Sequence, residues 1–389
     1  MRVAVVGAGL GGLSAAAHLV ATGHDVVVYE RNPEPGGVAR AEHTDGFRLE
    51  LGPTVLTMPE LIGETFAALG ADLEREVRLT RLDPIYRVVF ADGAEFRVRA
   101  GLDAMVDEVR ELAGDGAVDE FTSFVTWLGE LYQLQMPAFV DAQWDGVGDL
   151  FARRRAMWRL FRLGGFRRLD SAVASRLSDE RLRRVFGFQS LYAGVTPQRA
   201  LAMYAMIAYL DTVAGVWGVE GGIRSIADAL ARRLVARGVR FHYDTPVASV
   251  ARSADGSVEG LELGGGERVR ADAVVVNTDV AGTYRSLLDV RRPLRLRFNR
   301  YAPSCMVWSA GVRGVPANDV AVHNIHFGEA WDDAFDALES GHRMPDPSTL
   351  ITVSPTPLVL IMKNGYSIRK SLPPRTFAMI RLVVLSMAR

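Results

Sequence analysis

One cysteine, Cys305, is all the thiol this chain of 389 residues has. An internal disulfide framework is therefore excluded, and the composition fits a reducing cytoplasm. Lysine is almost missing too: of 45 basic side chains only Lys363 and Lys370 are lysines. Neither sign of charge is in surplus, with a formal net charge of −1, so no basic field points to nucleic acid. No stretch is long, apolar and uncharged enough to be expected as a transmembrane helix. The apolar start, Val3 to Val20, is broken by Gly7, Gly9, Gly11 and Gly12 and carries little charge before it. It reads as folded structure rather than a secretory signal. What remains is a chain that is 49% hydrophobic, long enough for two or three domains.

The first thirty residues carry a specific pattern. Residues 2–6 are β-branched enough for a buried parallel strand, and Gly7-Ala-Gly9-Leu10-Gly11-Gly12 follows. An Ala-rich helical run from Leu13 to Thr22 closes at Gly23, and Val26 to Tyr29 is a second strand ending at Glu30. Each part has a physical task. Gly7 permits the tight turn, Gly9 lets backbone approach a pyrophosphate, and Gly12 lets the helix lie against the strand. The helix N-terminus offers free N–H groups and a positive dipole end to phosphates. Glu30 can accept hydrogen bonds from ribose hydroxyls and would repel a 2′-phosphate. A dinucleotide site is predicted.

The next segment decides between nucleotides. Glu30-Arg31-Asn-Pro-Glu-Pro-Gly-Gly37, then Arg40, Gly46-Phe47 and Leu51-Gly-Pro53-Thr54, resembles the second glycine motif of flavoprotein oxidases and desaturases. That resemblance implies FAD, with this segment wrapping the pyrophosphate and passing beneath the isoalloxazine. It also implies that Arg40 lies near the phosphates or the flavin.

Further on, residues 77–100 alternate apolar and polar around a turn at Ala91-Asp-Gly93, which predicts antiparallel strands. Residues 103–211 are predicted to be mostly helical, with Phe121, Trp127, Tyr132 and Phe139 read as core rather than ligand-binding. After Gly221-Gly222 a helix is expected over Ile226 to Arg237. Strands follow at Val239 to Tyr243, Thr245 to Val250 and Ala273 to Asn277, with a hairpin around Gly264-Gly-Gly266.

Leu191-Tyr-Ala-Gly-Val-Thr-Pro197, Tyr209-Leu-Asp211, Gly215-Val-Trp217, Val276-Asn-Thr-Asp279 and His323-Asn-Ile-His326 stand in the order seen in the phytoene desaturase family, which the chain resembles over residues 1–356. The resemblance implies an α/β fold: a Rossmann-like FAD-binding domain with a doubly wound parallel sheet, interrupted by a mixed α+β substrate domain. The expected boundaries are 1–75 plus 215–290 for the FAD-binding domain, 76–214 plus 291–356 for the substrate domain, and 357–389 for an atypical tail. It implies FAD contacts at Gly7, Gly9, Leu10, Gly11, Gly12, Glu30, Arg31, Gly37, Arg40, Pro53, Thr54, Val247 and Asn277. No catalytic residue is designated. The implied reaction removes hydrogen across a C–C bond of a long apolar polyene, with hydride passing to the flavin and a proton lost from the adjacent carbon. Oxygen or a quinone would take the electrons. Carotenoid isomerases and ketolase-like relatives share these motifs, and an inactive fragment is a third reading.

Three further features belong to the reading. His323 and His326 have H-x-x-H spacing, which would put both on one face of a helix, yet no further metal ligand is evident and no metal site is expected. Cys305 alone reads as a small buried hydrophobe. Seven arginines and no acid lie between Phe151 and Leu169, interleaved with Met157, Trp158, Phe161 and Phe166. Such a segment suits either a solvated basic face or the anionic heads of a membrane on which a lipid-dissolved substrate is collected. The expected place is therefore cytoplasmic, peripheral to the membrane. Finally, Pro355 to Arg389 holds six basic residues and no acid, unlike the rest. Relatives run longer and end in another glycine-rich segment, so a truncated or frameshifted end is expected after Thr356, with an anchor at Phe377 to Ala388 as the other reading.

Overall fold

In a computed structural model of the chain the described residues are 1–44, 47–146, 148–290, 293–297, 305–313, 320–342, 344–353 and 377–385. They fall into two compact units, one of Met1–Thr80 with residues 217–297, the other of Arg81–Val216 with residues 305–353 and 377–385.

The first unit is built on four parallel strands. Strand β1 (Arg2–Val6) lies between Ala273–Val276 and β2 (Asp25–Tyr29), and Arg240–His242 pairs with the outer edge of β2. Alternate residues serve opposite faces, as the pleat requires. Val5, Val26 and Val28 pack with Leu13, Ala16 and Ala17 of helix α1 (Leu10–Ala21), with Phe66 of α2 (Pro59–Ala68), and with the helix Arg224–Ala236. Ala4, Val6, Val27 and Tyr29 face the other way, onto Val250, Leu261 and Leu263. Those belong to the antiparallel sheet Val247–Arg252, Val258–Leu263 and Arg268–Arg270, whose last two strands form the expected hairpin. The parallel sheet therefore has helices on one face and a three-stranded sheet on the other.

Helix α1 ends for local reasons. The Thr22 hydroxyl donates to the His18 and Leu19 carbonyls, and Gly23, at φ +86°, takes a left-handed turn that residues with a Cβ resist.

The second unit carries a six-stranded sheet in the order Cys305–Arg313, Phe377–Leu385, Thr349–Val353, His323–His326, Tyr86–Val89, Glu95–Val98. The last pair is the antiparallel hairpin expected over 77–100. Phe377–Leu385, part of the segment expected as a tail or anchor, is a β-branched apolar run and pairs on both sides. Lys363, Lys370 and most of 357–389 lie outside the described residues. Helices fill 102–214, and Phe96, Phe121, Phe124 and Phe186 pack ring to ring at centroid distances of 5.4–6.4 Å. Phe121 and Trp127 are buried, and Tyr132 and Phe139 half-buried.

One expectation is corrected here. His323 and His326 lie on the strand His323–His326, not on a helix. Side chains alternate along a strand, so residues three apart point to opposite faces and the H-x-x-H spacing brings no two ligands together.

Replacing a side chain in either core should carry a cavity cost. Leu13→Ala in the first unit and Phe186→Ala in the second, at 0% and 1% exposure, are each expected to destabilise by about 2–5 kcal/mol in urea denaturation.

Candidate functional site

The glycine-rich turn between β1 and α1 is set by close approach. Gly7 has φ +100°, and a Cβ there would lie 2.9 Å from the Asn277 carbonyl oxygen. A Cβ on Gly12 would lie 2.0 Å from the Gly7 carbonyl oxygen, closer than any packing allows. Glycine at both places lets α1 start directly above the end of β1. The cap residue Gly9 has no side chain to offer, and the first turn has no acid. The N–H groups of Leu10, Gly11 and Gly12 therefore point outward with the positive end of the helix dipole behind them. The Asn277 amide lies across this turn: Cβ atoms built on Gly11 and Gly12 would meet it at 3.0 and 3.3 Å.

Glu30 closes the turn from the side. It is 5% exposed; its Oε2 accepts from the Ala8 N–H at 2.7 Å, and Oε1 accepts from the Asn32 N–H at 2.9 Å and from Asn32 Nδ2 at 2.7 Å. A carboxylate has roughly four acceptor positions, so about one stays available. Glu30 thus fixes the loop as well as offering an acceptor.

The second glycine motif docks on the first. Gly36 donates its N–H to the Ala8 carbonyl at 2.8 Å and bridges Gly9 in parallel fashion. A Cβ on Gly37 would lie 3.0 Å from the Gly9 Cα. Two loops thirty residues apart become one surface without side chains. Beyond it, Gly52 packs so tightly on residue 38 that a Cβ would lie 2.1 Å from the Val38 carbonyl oxygen. Pro53 and Arg40 are exposed on this segment and Thr54 is half-buried. Arg31 is exposed next to Glu30, and Val247, half-buried, packs on the sheet face that includes Tyr29. Thr245 donates its N–H to the Glu30 carbonyl at 2.9 Å, which brings this strand alongside.

Sequence reasoning missed Arg224. It is 6% exposed and forms ion pairs with Glu34 at 2.7 Å and Asp228 at 2.8 Å, while its Cδ lies 3.1 Å from where a Gly36 Cβ would sit. The Glu34 hydrogen bond, and then Asp228, hold its guanidinium above the usual arginine range. Arg224 clamps the second glycine motif from behind.

A bare backbone surface at a helix N-terminus, flanked by a buried carboxylate, suits a dinucleotide pyrophosphate and its ribose. The sequence matches the family described as flavin containing amine oxidoreductase over residues 10–307. It is 44% identical over 354 residues to a phytoene dehydrogenase of Streptomyces griseus, covering 90% of this chain and 68% of that protein. It is 35% identical over 360 residues to a zeta-carotene-forming phytoene desaturase of Myxococcus xanthus, covering 91% and 68%. The chain belongs to the phytoene desaturase family of flavin-containing oxidoreductases. Solved structures share the fold at low identity: an oxidoreductase from Methanosarcina mazei has a TM-score of 0.60 at 16% identity over 100% of this chain and 79% of that one. Wild-type putrescine oxidase bound to putrescine has a TM-score of 0.60 at 15% identity over 99% of this chain and 76% of that one. This flavoprotein is an FAD-dependent oxidoreductase.

Gly12→Ala is expected to force the 7–12 loop open and weaken FAD binding by about tenfold or more, roughly 1.4 kcal/mol, in a flavin fluorescence titration.

Proposed function

We propose that the chain desaturates a long apolar polyene of the phytoene type, in an FAD-dependent reaction. The observation that carries the reading is the similarity to a phytoene dehydrogenase across 90% of the chain, which extends through both units. When bound, FAD accepts a hydride, and the polyene gains a C=C bond.

The chain's own residues have assignable tasks in this reading. The N–H groups at Leu10, Gly11 and Gly12, approached over the bare Gly7, Gly9 and Gly37, hold the pyrophosphate. Glu30 uses its remaining acceptor position on a ribose hydroxyl. Arg31 and Arg40, exposed and without an ion pair among the described residues, add positive charge near the phosphates. The segment of Pro53 and Thr54 passes beneath the flavin ring, and Val247 and Asn277 complete the border. The unit of residues 81–216 and 305–353 holds the polyene, and oxygen or a quinone takes the electrons.

The same reading includes docking on an anionic membrane. No helix among the described residues is long and apolar enough to cross a membrane. The helix Arg154–Arg162 instead offers exposed Trp158 and Phe161, stacked at 5.7 Å, beside exposed Arg154, Arg155, Arg159 and Arg162. Leu160, 1% exposed, fixes the helix to its unit, and Gly165 ends the segment where a Cβ would lie 2.4 Å from Leu160 Cδ1. An arginine near an anionic surface contributes about 1 kcal/mol. Arg159→Gln with Arg162→Gln should therefore weaken partitioning onto anionic vesicles by about 2 kcal/mol, with a smaller effect in high salt, as read by vesicle sedimentation.

The reaction is tested by incubating the FAD-loaded chain with phytoene and an electron acceptor and analysing the product. New conjugated double bonds are expected in the absorption spectrum and mass. A product of unchanged mass would replace desaturation by isomerisation, and an unaltered polyene would overturn the proposal.

A further inference from the structure

The helices Asp115–Gln135 and Arg154–Arg162 belong to the same unit and border a cavity of about 630 Å³. That volume is in the range of small-molecule sites. One wall holds Glu130, Gln133, Leu134 and Pro137, at the i, i+3, i+4 and i+7 spacing of a single helical face. The other holds Arg159, Arg162 and Leu163, again spaced along one face. Pro137 has no N–H for the helical ladder, and the first helix widens there into the π turn Met136–Val140. Such turns recur at functional sites. The second helix is tied to the first: the Trp127 indole N–H donates to the Leu163 carbonyl at 2.9 Å, and Leu160 is 1% exposed. Arg176 covers the Trp127 ring at 4.0 Å. The two walls are therefore held at a set separation.

The polar groups of the cavity are open. Among the described residues, the side chains of Arg159, Arg162, Glu130 and Gln133 make no hydrogen bond or ion pair. Arg153, Arg181 and Arg184 of the same unit are paired, with Asp149, Asp179 and Glu180. Two guanidiniums one helical turn apart repel each other, and an anion between them removes that cost. Phosphate suits the place, because its oxygens match the guanidinium fork. Glu130 lines the same space yet pairs with neither arginine, so a carboxylate stands open to a cation as well. The occupant that answers both signs carries a phosphate and an ammonium together. Leu134, Pro137 and Leu163 add an apolar share that suits a glycerol and the first methylenes of an acyl chain. A bare hydrocarbon would desolvate three charges and offer them nothing, so the polyene does not fit here.

We propose that this cavity holds the phosphoethanolamine head of a membrane phospholipid, its phosphate on Arg159 and Arg162 and its primary ammonium on Glu130 and the Gln133 side-chain oxygen. This rests on the membrane docking read above and deepens it: the basic face attracts any anionic surface, and the cavity selects one head group. The source is a bilayer rather than a soluble phosphate ester because the same helix carries Trp158 and Phe161, 61% and 60% exposed. Beyond the other wall Val140 and Trp144 are exposed too. Exposed aromatic and apolar side chains beside basic ones settle at the head-group level of a membrane. Choline fits less well, since a trimethylammonium has no N–H to give to Glu130.

The test uses the full FAD-loaded chain in two measurements. In vesicle sedimentation at fixed phosphatidylglycerol content, replacing phosphatidylcholine by phosphatidylethanolamine is expected to tighten binding by about tenfold, as a hydrogen bond to a charged group would. In calorimetric titration, monomeric short-chain phosphatidylethanolamine should bind at one site, about tenfold tighter than the short-chain choline lipid and tighter than free phosphoethanolamine. Glu130→Gln should erase the ethanolamine preference in both measurements, with no drop in binding to choline–glycerol vesicles and none in melting temperature. Arg159→Gln with Arg162→Gln should abolish the short-chain titration. A chain that docks on vesicles without preferring ethanolamine overturns the head-group site and leaves docking standing. So does a preference that survives Glu130→Gln, which would belong to bilayer packing. Free phosphoethanolamine binding as tightly as the lipid overturns the bilayer as the source. A chain that sediments with no vesicle overturns docking instead. The cavity is then judged by the short-chain titration, and a titration without binding sinks it.

Discussion

The contact between the backbone of Gly7 and the start of α1 at Gly12 is the constraint from which the first unit follows. Only a residue without Cβ lets the helix begin that close to the end of β1. That proximity leaves the first-turn N–H groups gathered above the strand ends. It also lets α1 lay Leu13, Ala16 and Ala17 on the sheet, so one geometric demand serves both core and cofactor. The second glycine motif depends on the same turn, because Gly36 and Gly37 have nowhere to dock unless Ala8 and Gly9 present bare backbone. Glu30 and Arg224 then fix the assembly from two sides, the first through the Ala8 N–H, the second through Glu34.

The two units use opposite chemistry. In the first, buried charge orients the loops: Glu30 accepts from Ala8 and Asn32, and Arg224 pairs with Glu34 of the loop and with Asp228 of its own helix. In the second, the buried polar groups are nearly all uncharged, among them Gln135, Gln189, Thr196, Thr212 and Asn324, and Gln189 donates to the Tyr86 phenol beside the ring of Phe188. An FAD-dependent oxidation of a hydrocarbon needs both: a polar cradle for a charged cofactor, and largely uncharged surroundings for an apolar substrate.

Much of this was legible from sequence where the determinants are local. The strand, glycine turn, helix, strand and acid of residues 2–30 read directly, since Gly7 and Gly23 take positive φ and Gly12 must clear the Gly7 carbonyl, reasons that lie within a few residues. The hairpins at 86–98 and 258–270 were equally visible from alternation and turn residues. Distant pairing was not. Tyr86–Val89 runs parallel to His323–His326, a partnership no local pattern encodes, and it is why a histidine spacing that fits a helix turned out to lie on a strand. Arg224 escaped notice for the same reason: its partner Glu34 is 190 residues away.

The order of the strands has a consequence for how this polypeptide is made. Strand β1 borders Ala273–Val276, and β2 borders Arg240–His242, yet residues 81–216 are translated between the two pairs. At about 5–20 residues per second the ribosome needs on the order of ten seconds to cross that interval. During it, β1 and β2 have emerged with both outer edges open, and Val5 and Val28 lack the Ile226 and Leu230 side of their core. A nascent chain in that state offers unpaired strand edges to its neighbours on the same message. The interrupted domain thus leaves its central sheet half-paired for as long as the middle of the chain takes to be read.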